Sequence, residues 1–592
     1  MRKKCLAIFM ALVLSLAVCA GCSDSSTQNS ANSDTNSAVS QASAASNETS
    51  ETQNSTAENS NFADGDYKDV TSGDVNATIT LSGSEGTISD TTRGSSGSEV
   101  TITSKGTYKV TGSSENVTIT VDDSTKSGNI YLILDNVSMK NSSNACINIQ
   151  SCDKVIIQCV GENTIECTNS DSSSKIDGAI YAKDDVTING EGSLSVTSSL
   201  HGIVCKNDLK ITGAKLSVKA ENIGIQADDS VKIGGGDIEI TSGHDGIHLT
   251  NDDNTSMFYI SDGTLYIEAG YDGISVKAGD DSADFTGYID LAGGTVDILA
   301  GGGSDNSKNS GTSQKAVKCD GDILMNGTTL TVSSADDAVH SNANITVNAG
   351  SAELSTSDDG MTATGNITIN DGSINIIKSY EGIEAQTFVM NNGGVWVVSS
   401  DDGINTAGGS DTSSKDDTPW GSTDTSAVLT INGGYVYVNA SGDGLDSNGS
   451  IYITGGTTIV EGSTTGGNGA LDKGDGSGCV ASITGGTVLA LGTTDMAVNF
   501  DTGTQCSGLV NISGTSGTEI SVNDGSDFKF TATKNFACAV YSSTNMTQGN
   551  SYTLTAGSDT ATLDFTSDLY YSDVQSMGMG GRGGFGDHGG LR

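Results

Sequence analysis

A short motif recurs along most of the chain, in which an acidic residue is followed by Gly and then by Ile or a similar apolar residue. Successive copies are mostly about 22 residues apart, and two longer intervals hold insertions at residues 301–314 and 407–427. Repetition at a fixed period is the signature of stacked supersecondary units. The clearest copies, including near variants, are residues 245–247, 272–274, 337–339, 359–361, 381–383, 402–404 and 443–445.

Each repeat also contains alternating apolar and polar residues on either side of a turn with Asn or Gly, as in residues 367–376, 429–438 and 451–460. A two-residue period indicates strands, and Gly and Asn supply the positive φ that tight corners require. Because the units keep a constant length, they favour turns of a parallel β-helix over a series of hairpins. The chain is therefore predicted to be all-β, with a core only a few side chains wide.

The charge balance excludes two classes of partner. The chain has 28 Lys+Arg against 73 Asp+Glu, which gives a formal net charge of -45. Phosphate backbones and anionic lipid headgroups attract basic surfaces, so neither nucleic acid nor a membrane surface is an expected partner. The charge instead suits a surface that binds cations in an extracellular medium.

The composition changes along the chain and predicts five segments. Residues 1–22 have a basic start, a short apolar run and a small-residue motif that ends at Cys22, which indicates a lipoprotein signal peptide lipidated at that cysteine. An ordinary cleaved signal peptide is the alternative. Residues 23–65 form a disordered Ser/Thr/Asn-rich tether, residues 66–500 the β-helix, residues 501–575 a β cap and residues 576–592 a Gly-rich flexible tail. We expect a monomer on the extracellular face of the membrane, attached only through its lipid.

Acidic residues accumulate at the recurring corner. Stacking equivalent corners at ~4.8 Å brings carboxylates together, and each adjacent pair would repel by ~3–4 kcal/mol at an effective dielectric of 20. Calcium prefers six to eight oxygen ligands, so a calcium site is predicted here. A solvated acidic edge that prevents sheet stacking is the alternative. The candidate ligands are Asp336, Asp337, Asp358, Asp359, Glu381, Glu384, Asp401, Asp402, Asp443 and Asp446.

Aromatic side chains are candidates for carbohydrate binding, because flat rings pack well on sugar rings. Alternation directs Tyr266 and Tyr437 outward, and Trp420 lies in the second insertion. Trp396 aligns with the core residue Val436 and is expected to be buried. Scattered surface tyrosines without a ligand are the alternative. His248 and His340, which follow the corner, are further candidates as ligands or bases.

The ordered run of motifs resembles a known family. Residues 106–112, 180–190 and 201–213, the Asp-Gly-Ile series and the Gly-rich residues 578–586 are similar to the carbohydrate-binding domain family of clostridial surface lipoproteins. The resemblance covers roughly residues 66–575. It implies a right-handed parallel β-helix related to calcium-dependent pectate lyases, bound calcium, and binding of cellulose or a pectin-like acidic polysaccharide.

The same resemblance raises an enzymatic alternative. The lyase relatives use a lysine base beside calcium, and Lys318 and Lys315 precede the first acidic pair by one repeat. A lysine base must be deprotonated, whereas an acidic groove favours the charged form, so we favour binding over catalysis. A structural or adhesive stalk without a sugar ligand is the third hypothesis.

Overall fold

The computed structural model describes residues 61–279, 284–309, 311–406 and 424–574. Four predictions lie outside these residues: the leader with Cys22, the tether up to residue 60, the part of the second insertion that contains Trp420, and the Gly-rich tail. Within the described residues, no helix has the length and apolarity needed to cross a lipid bilayer.

The prediction of an all-β chain is confirmed. The described residues contain strands joined by turns, and a 3-10 turn at Asp64–Asp66 precedes the first strand. The first strands contain both antiparallel and parallel pairs. They are Ala77–Gly83, Glu85–Ile88, Gly94–Ser95, Glu99–Ile102, Gly106–Glu115, Thr118–Asp122, Ile130–Asn141, Ile147–Ser151, Lys154–Val160 and Glu162–Cys167.

The strands from residue 178 to residue 492 form what we call the repeat stack, in which each strand pairs in parallel with its equivalent in a neighbouring repeat. They are Gly178–Ala182, Asp185–Gly190, Ser193–Ser198, His201–Cys205, Asp208–Ala220, Ile225–Ala227, Ser230–Ser242, Ile247–Asn251, Met257–Ala269, Ile274–Ala278, Tyr288–Leu291, Thr295–Ala300, Val317–Cys319, Asp322–Ser334, Val339–Ser341, Ile345–Thr356, Met361–Ile369, Ser373–Ser379, Ile383–Met390, Gly394–Ser399, Ile404–Thr406, Val428–Ile431, Tyr435–Ala440, Leu445–Ser447, Ser450–Ile453, Thr457–Glu461, Ala481–Ile483 and Thr487–Gly492.

The core of the repeat stack consists of apolar columns. The first residue after each corner lies opposite its equivalent in the next repeat, and each of these side chains is at most 1% exposed. Burying one such aliphatic side chain contributes about 1.5–3 kcal/mol, so every repeat is stabilised mainly by its two neighbours. One column consists of Val317, Val339, Met361, Ile383, Ile404 and Leu445.

A second column, which we call the amide ladder, runs along an exposed corner of the repeat stack. Each of the four later asparagines donates an Nδ2 hydrogen bond to the Oδ1 of the asparagine one repeat earlier, at 2.8–2.9 Å. The Thr454 hydroxyl donates into one end, and the Asp290 carboxylate accepts at the other, both at 2.8 Å. The asparagines are Asn326, Asn348, Asn370, Asn391 and Asn432.

After the repeat stack the pairing changes. Phe536–Ser543 pairs antiparallel with Thr487–Gly492, and a separate four-stranded antiparallel sheet packs over a second apolar cluster. The buried Glu461 carboxylate joins the two regions, because it accepts hydrogen bonds from the Thr533 backbone at 2.8 Å and the Thr533 hydroxyl at 2.6 Å. The C-terminal strands are Thr502–Gly503, Ser507–Gly514, Glu519–Val522, Lys529–Thr531, Phe536–Ser543, Ser551–Ala556, Asp559–Asp564 and Tyr570–Ser572.

Candidate functional site

Polar side chains line the recurring corner in stacked columns, which together we call the polar seam. The residue before the corner Gly or Ala lies beside its equivalents in the neighbouring repeats, and so does the second residue after it. The columns meet at one edge because they flank the same turn. The first column includes Asp272, Lys315, Asp337, Asp359, Glu381, Asp402 and Asp443, and the second includes His248, Ser275, Lys318, His340, Thr362, Glu384, Asn405 and Asp446.

Glycine at the corner lets successive turns approach closely. A Cβ added at Gly382 would lie 2.2 Å from the Gly403 carbonyl oxygen and from Val397, so glycine keeps the repeats in register there. Ala316 and Ala338 stand at the equivalent position in two repeats. The acidic side chains next to these corners are consequently held one repeat apart.

The second column points away from the apolar core, as alternation predicts, yet most of it is covered. Ser275, Thr362 and Asn405 are 0%, 1% and 7% exposed, respectively. His340 and Glu384 are buried as well. The sequence pattern shows which way a side chain points but not which neighbouring corners and loops cover it.

Lysines neutralise one half of the polar seam, which we call the lysine half: Lys308, Lys315, Lys318, Asp336, Asp337, His340 and Asp358. The Lys315 ammonium group contacts Asp336 Oδ1 at 3.0 Å and also Asp337. Lys308 contacts Asp336 Oδ1 at 3.0 Å and Asp358 Oδ2 at 3.1 Å. Calcium among these carboxylates stays a prediction, and the protein already supplies two cations there.

The lysine half therefore holds Asp336 and Asp337 in the charged form, whereas burial raises the pKa of Asp358. Burial alone would raise the pKa of Asp337, but Lys315 and His340 hold it well below its usual range. The same balance, with Lys315 and Lys308 opposing burial and the Asp337 charge, lowers the pKa of Asp336. Lys315 is almost fully buried, and Lys318 lies 3.8 Å from Asp272 and 3.1 Å from the Ser313 hydroxyl. Both candidate bases are thus engaged with polar partners.

The other half of the seam, which we call the acid half, consists of Asp359, Glu381, Glu384, Asp401, Asp402, Asn405, Asp443 and Asp446. Asp402, Asp443 and Asp446 each offer an oxygen, and these oxygens all lie within 4.8 Å of one another. The ion pairs formed by the described residues include none to these three carboxylates. The acid half therefore concentrates negative charge without the lysines of its neighbour.

Burial and mutual repulsion disfavour the charged form in the acid half. Burial raises the pKa of Asp402 to about 7, and nearby carboxylates add to the rise. Burial, followed by the charge of Asp402, raises the pKa of Asp443 to about 8. The pKa values of Asp359, Glu381 and Asp446 are also raised well above their usual range, with burial again the largest cause.

Asn405 adds a buried amide oxygen to the carboxylates of the acid half. Its Nδ2 donates to Glu381 Oε2 at 3.1 Å, whereas its buried Oδ1 has no hydrogen-bond partner. Asn405 lies in the column between Glu384 and Asp446. Buried polar atoms are rarely left unpaired, and an amide oxygen beside carboxylates belongs to the donor set that calcium prefers.

The predicted sugar-binding residues are dispersed. Tyr266 lies in a column between Glu239 and Asp297, and Tyr437 donates its hydroxyl to Glu461 Oε2 at 2.7 Å. His248 contacts Asp245 at 2.7 Å. His340 bonds to Asp337 at 2.8 Å and to Asn342 at 3.0 Å. The described candidates therefore form no single sugar site, and their roles stay predictions.

The prediction that Trp396 is buried is wrong, because its side chain is 36% exposed. Val395 pairs with Val436, and Trp396 pairs with Tyr437. Aligning the two Asn-Gly-Gly turns shifts the register by one residue, which exchanges the two faces of a strand. Counting back from Gly403 and Gly444 gives the correct alignment, so this signal was present in the sequence.

A family model and two known proteins match parts of the chain. The family model described as carbohydrate-binding domain-containing protein matches residues 96–360 and 361–469. A carbohydrate-binding domain-containing protein of Acetivibrio thermocellus is 36% identical over 161 residues, which are 26% of this chain and 56% of that relative. The match thus spans little more than half of the relative's length. A solved polysaccharide lyase-like protein from C. thermocellum, in a gadolinium derivative, is 33% identical, with a TM-score of 0.35 over 38% of this chain and 92% of that chain.

Proposed function

The chain belongs to the family of carbohydrate-binding domain-containing proteins, and we propose that it binds plant cell-wall polysaccharide with calcium held in the acid half. One observation carries the metal part of the proposal: Asp402, Asp443 and Asp446 converge without an ion pair to any lysine of the described residues, beside the Asn405 Oδ1 that lacks a hydrogen-bond partner among them. Carboxylate and amide oxygens bind hard cations such as calcium in preference to softer metal ions.

The charge of the protein suggests why a cation is needed. A pectin-like polymer carries carboxylates and is repelled by a chain of net charge -45. Calcium shared between protein and sugar carboxylates would convert this repulsion into attraction. Neutral glucans have no such need, so their binding should not depend on a bridging ion.

A paired pull-down tests the proposal. Full-length protein is incubated with insoluble polygalacturonate in millimolar calcium or in EDTA, below the melting temperature of the metal-free form. We expect retention with calcium and loss with EDTA. Retention that survives chelation would refute calcium bridging, and failure to bind any plant polysaccharide would refute the function.

A double substitution locates the ion. Asp402→Asn with Asp443→Asn should remove calcium-dependent retention, because two ligand charges are lost while side-chain volume is kept. Asp253→Asn, which removes one charge from an exposed loop, is the matched control and should bind as the parent does. Equal retention by the double variant and the control would place the ion elsewhere.

We also propose that the repeat stack winds as a right-handed parallel β-helix. Parallel pairing between equivalent strands of successive repeats supports this winding. Crossovers between parallel strands of one sheet are right-handed in about 98% of cases. A crystal structure tests the handedness directly.

A surface location is the last part of the proposal. The basic start, apolar run and Cys22 of the sequence support lipid attachment at the extracellular face of the membrane. Cys22→Ala should leave the leader uncleaved or release the protein into the medium. A processed variant that remains in the membrane fraction would contradict the anchor.

A further inference from the structure

An aromatic strip crosses one outer face of the repeat stack, away from the polar seam, and comprises Trp396, Tyr435, Tyr437 and Phe530. The ring centroids of Trp396 and Tyr435 are 5.6 Å apart, and those of Tyr437 and Phe530 are 6.2 Å apart. Trp396 and Tyr437 are direct neighbours on adjacent parallel strands. The two ring pairs are therefore placed side by side on adjacent strands.

The indole ring of Trp396 lies against the backbone of its own strand. A Cβ added at Gly394 would lie 2.4 Å from the far edge of the ring, so the indole lies over the glycine of its own strand. The ring thus contacts the backbone on one side, and Trp396 remains 36% exposed. An indole held in this way loses little conformational entropy when a flat ligand stacks on it.

Uncharged side chains flank the column of Trp396 and Tyr437. In the column of Trp396 and Tyr437, the residue one repeat earlier is Asn375 and the residue one repeat later is Ile459. The nearby Glu461 is 1% exposed, and hydrogen bonds from Tyr437 and Thr533 satisfy its carboxylate. The strip is thus a neutral area on a strongly acidic protein.

Two exposed aliphatic residues extend the apolar area. Val398 follows Trp396 on the same strand, Ile377 lies on the neighbouring strand, and both are more than two-fifths exposed. Exposed apolar patches rimmed by polar residues mark interaction surfaces. Asn439, opposite Val398, donates a hydrogen bond to the Thr533 hydroxyl at 3.2 Å and provides a polar rim.

We propose that the aromatic strip is a binding platform for an uncharged pyranose polymer and is separate from the calcium-dependent site. Pyranose rings present apolar C–H faces to aromatic rings and hydroxyl groups to a polar rim. An acidic polymer would gain little from the strip, because the lysines at its edge, Lys534 and Lys378, are already engaged with the Ala440 carbonyl oxygen and with Asp305. The inference rests on the proposed polysaccharide-binding function, and it specifies the aromatic strip as the place where an uncharged polysaccharide binds.

The chain has only two tryptophans, which permits a direct measurement. In full-length Trp420→Phe protein, Trp396 is the sole indole, and its emission is followed while cellohexaose is added in EDTA. We expect a saturable change in emission, and hexagalacturonate in EDTA should give none. An emission that does not respond to cellohexaose would overturn the proposal.

Two variants test the platform by cellulose pull-down. Trp396→Ala removes an exposed ring, so the fold should survive, and apparent affinity should fall about tenfold or more. Gly394→Ala keeps the indole but displaces it from the backbone. A loss of cellulose binding in this variant would show that the position of the ring matters as well as its presence. Tyr288→Ala, which removes a half-buried tyrosine elsewhere on the stack, is the control and should bind as the parent does.

The results separate this proposal from the broader one. Loss of cellulose binding with unchanged calcium-dependent pectate binding supports the strip. Unchanged cellulose binding in both strip variants overturns the strip alone, and so does parent protein that binds only pectate. A change of sedimentation coefficient in Trp396→Ala without a change in sugar binding would make the strip a protein contact and would also overturn it.

Discussion

The lysine half and the acid half occupy equivalent corners of the same repeat, yet they neutralise charge differently. In the lysine half, Lys308 and Lys315 lie among Asp336, Asp337 and Asp358. In the acid half, Asp402 and Asp443 meet without a described lysine partner, and their pKa values rise to about 7 and about 8. The same backbone arrangement thus accommodates either lysines beside the carboxylates or a group of carboxylates whose charged form is disfavoured, and only the side chains differ.

Of these predictions, replacing the buried Lys315 should cause the largest change in the free energy of unfolding. Lys315→Met leaves two buried carboxylates short of a partner, and breaking a buried ion pair costs about 3–5 kcal/mol. Urea unfolding of the variant should show this loss, and added calcium should recover part of it. Lys219→Met, at an exposed lysine, is the control. A variant as stable as the parent would mean that the two halves do not differ in this way.

Calcium should stabilise the parent protein through the acid half. A ligand at 100 times its Kd stabilises the native state by about 2.7 kcal/mol, so calcium should raise the melting temperature measured by scanning calorimetry. Asp402→Asn with Asp443→Asn should abolish this rise. A calcium effect that persists in the double variant would assign the ion to other ligands.

The two halves should respond oppositely to pH in metal-free protein. Asp402 and Asp443 have raised pKa values, so the folded state keeps protons that the unfolded state releases. Their contribution is complete below the ordinary pKa of 3.8 and is lost as pH rises towards about 7 and 8. A tenfold difference in proton affinity between the folded and unfolded states corresponds to about 1.4 kcal/mol, so stability should fall by at least about that amount between pH 5 and pH 8.5.

The lysine half should make the protein less stable at low pH, which is the opposite pH dependence. Asp336 and Asp337 have lowered pKa values, so their contribution is present above 3.8 and is lost as pH falls through the folded values. Urea unfolding in EDTA across the pH range measures both limbs. The Asp402→Asn and Asp443→Asn double variant should flatten only the alkaline decline. An unchanged alkaline limb would remove these carboxylates as its cause.

Substitution of Thr362, which lies between the two halves, should cause the smallest change in stability. It is 1% exposed, and its hydroxyl oxygen has no hydrogen-bond partner. Thr362→Val removes an unsatisfied polar group with little change of shape, so the free energy of unfolding should change by less than about 1 kcal/mol. Chemical denaturation of parent and variant measures it. A larger loss would show that the hydroxyl binds water or an ion.

The repeat and the buried columns could be predicted from the sequence because they depend on local alternation and constant spacing. Val317, Val339 and Ile383 point inward as expected. The difference between the halves could not be predicted in this way. Lys308 comes from an insertion and reaches Asp358, 50 residues later, and loop conformation has no periodic signal. Trp396 shows that repeats must be aligned from the corner rather than from the turn.

The amide ladder has a consequence for how such a chain can change length. Each asparagine is both a donor to one neighbour and an acceptor from the other, so every internal rung is equivalent. Duplicating or deleting a whole repeat leaves no amide unpaired, and only the ends require special groups, the donor Thr454 and the acceptor Asp290. The ladder even continues from Asn391 to Asn432 across the second insertion. Gene duplication can therefore extend this corner unit by unit, while the chemistry of the polar seam is chosen separately in each copy.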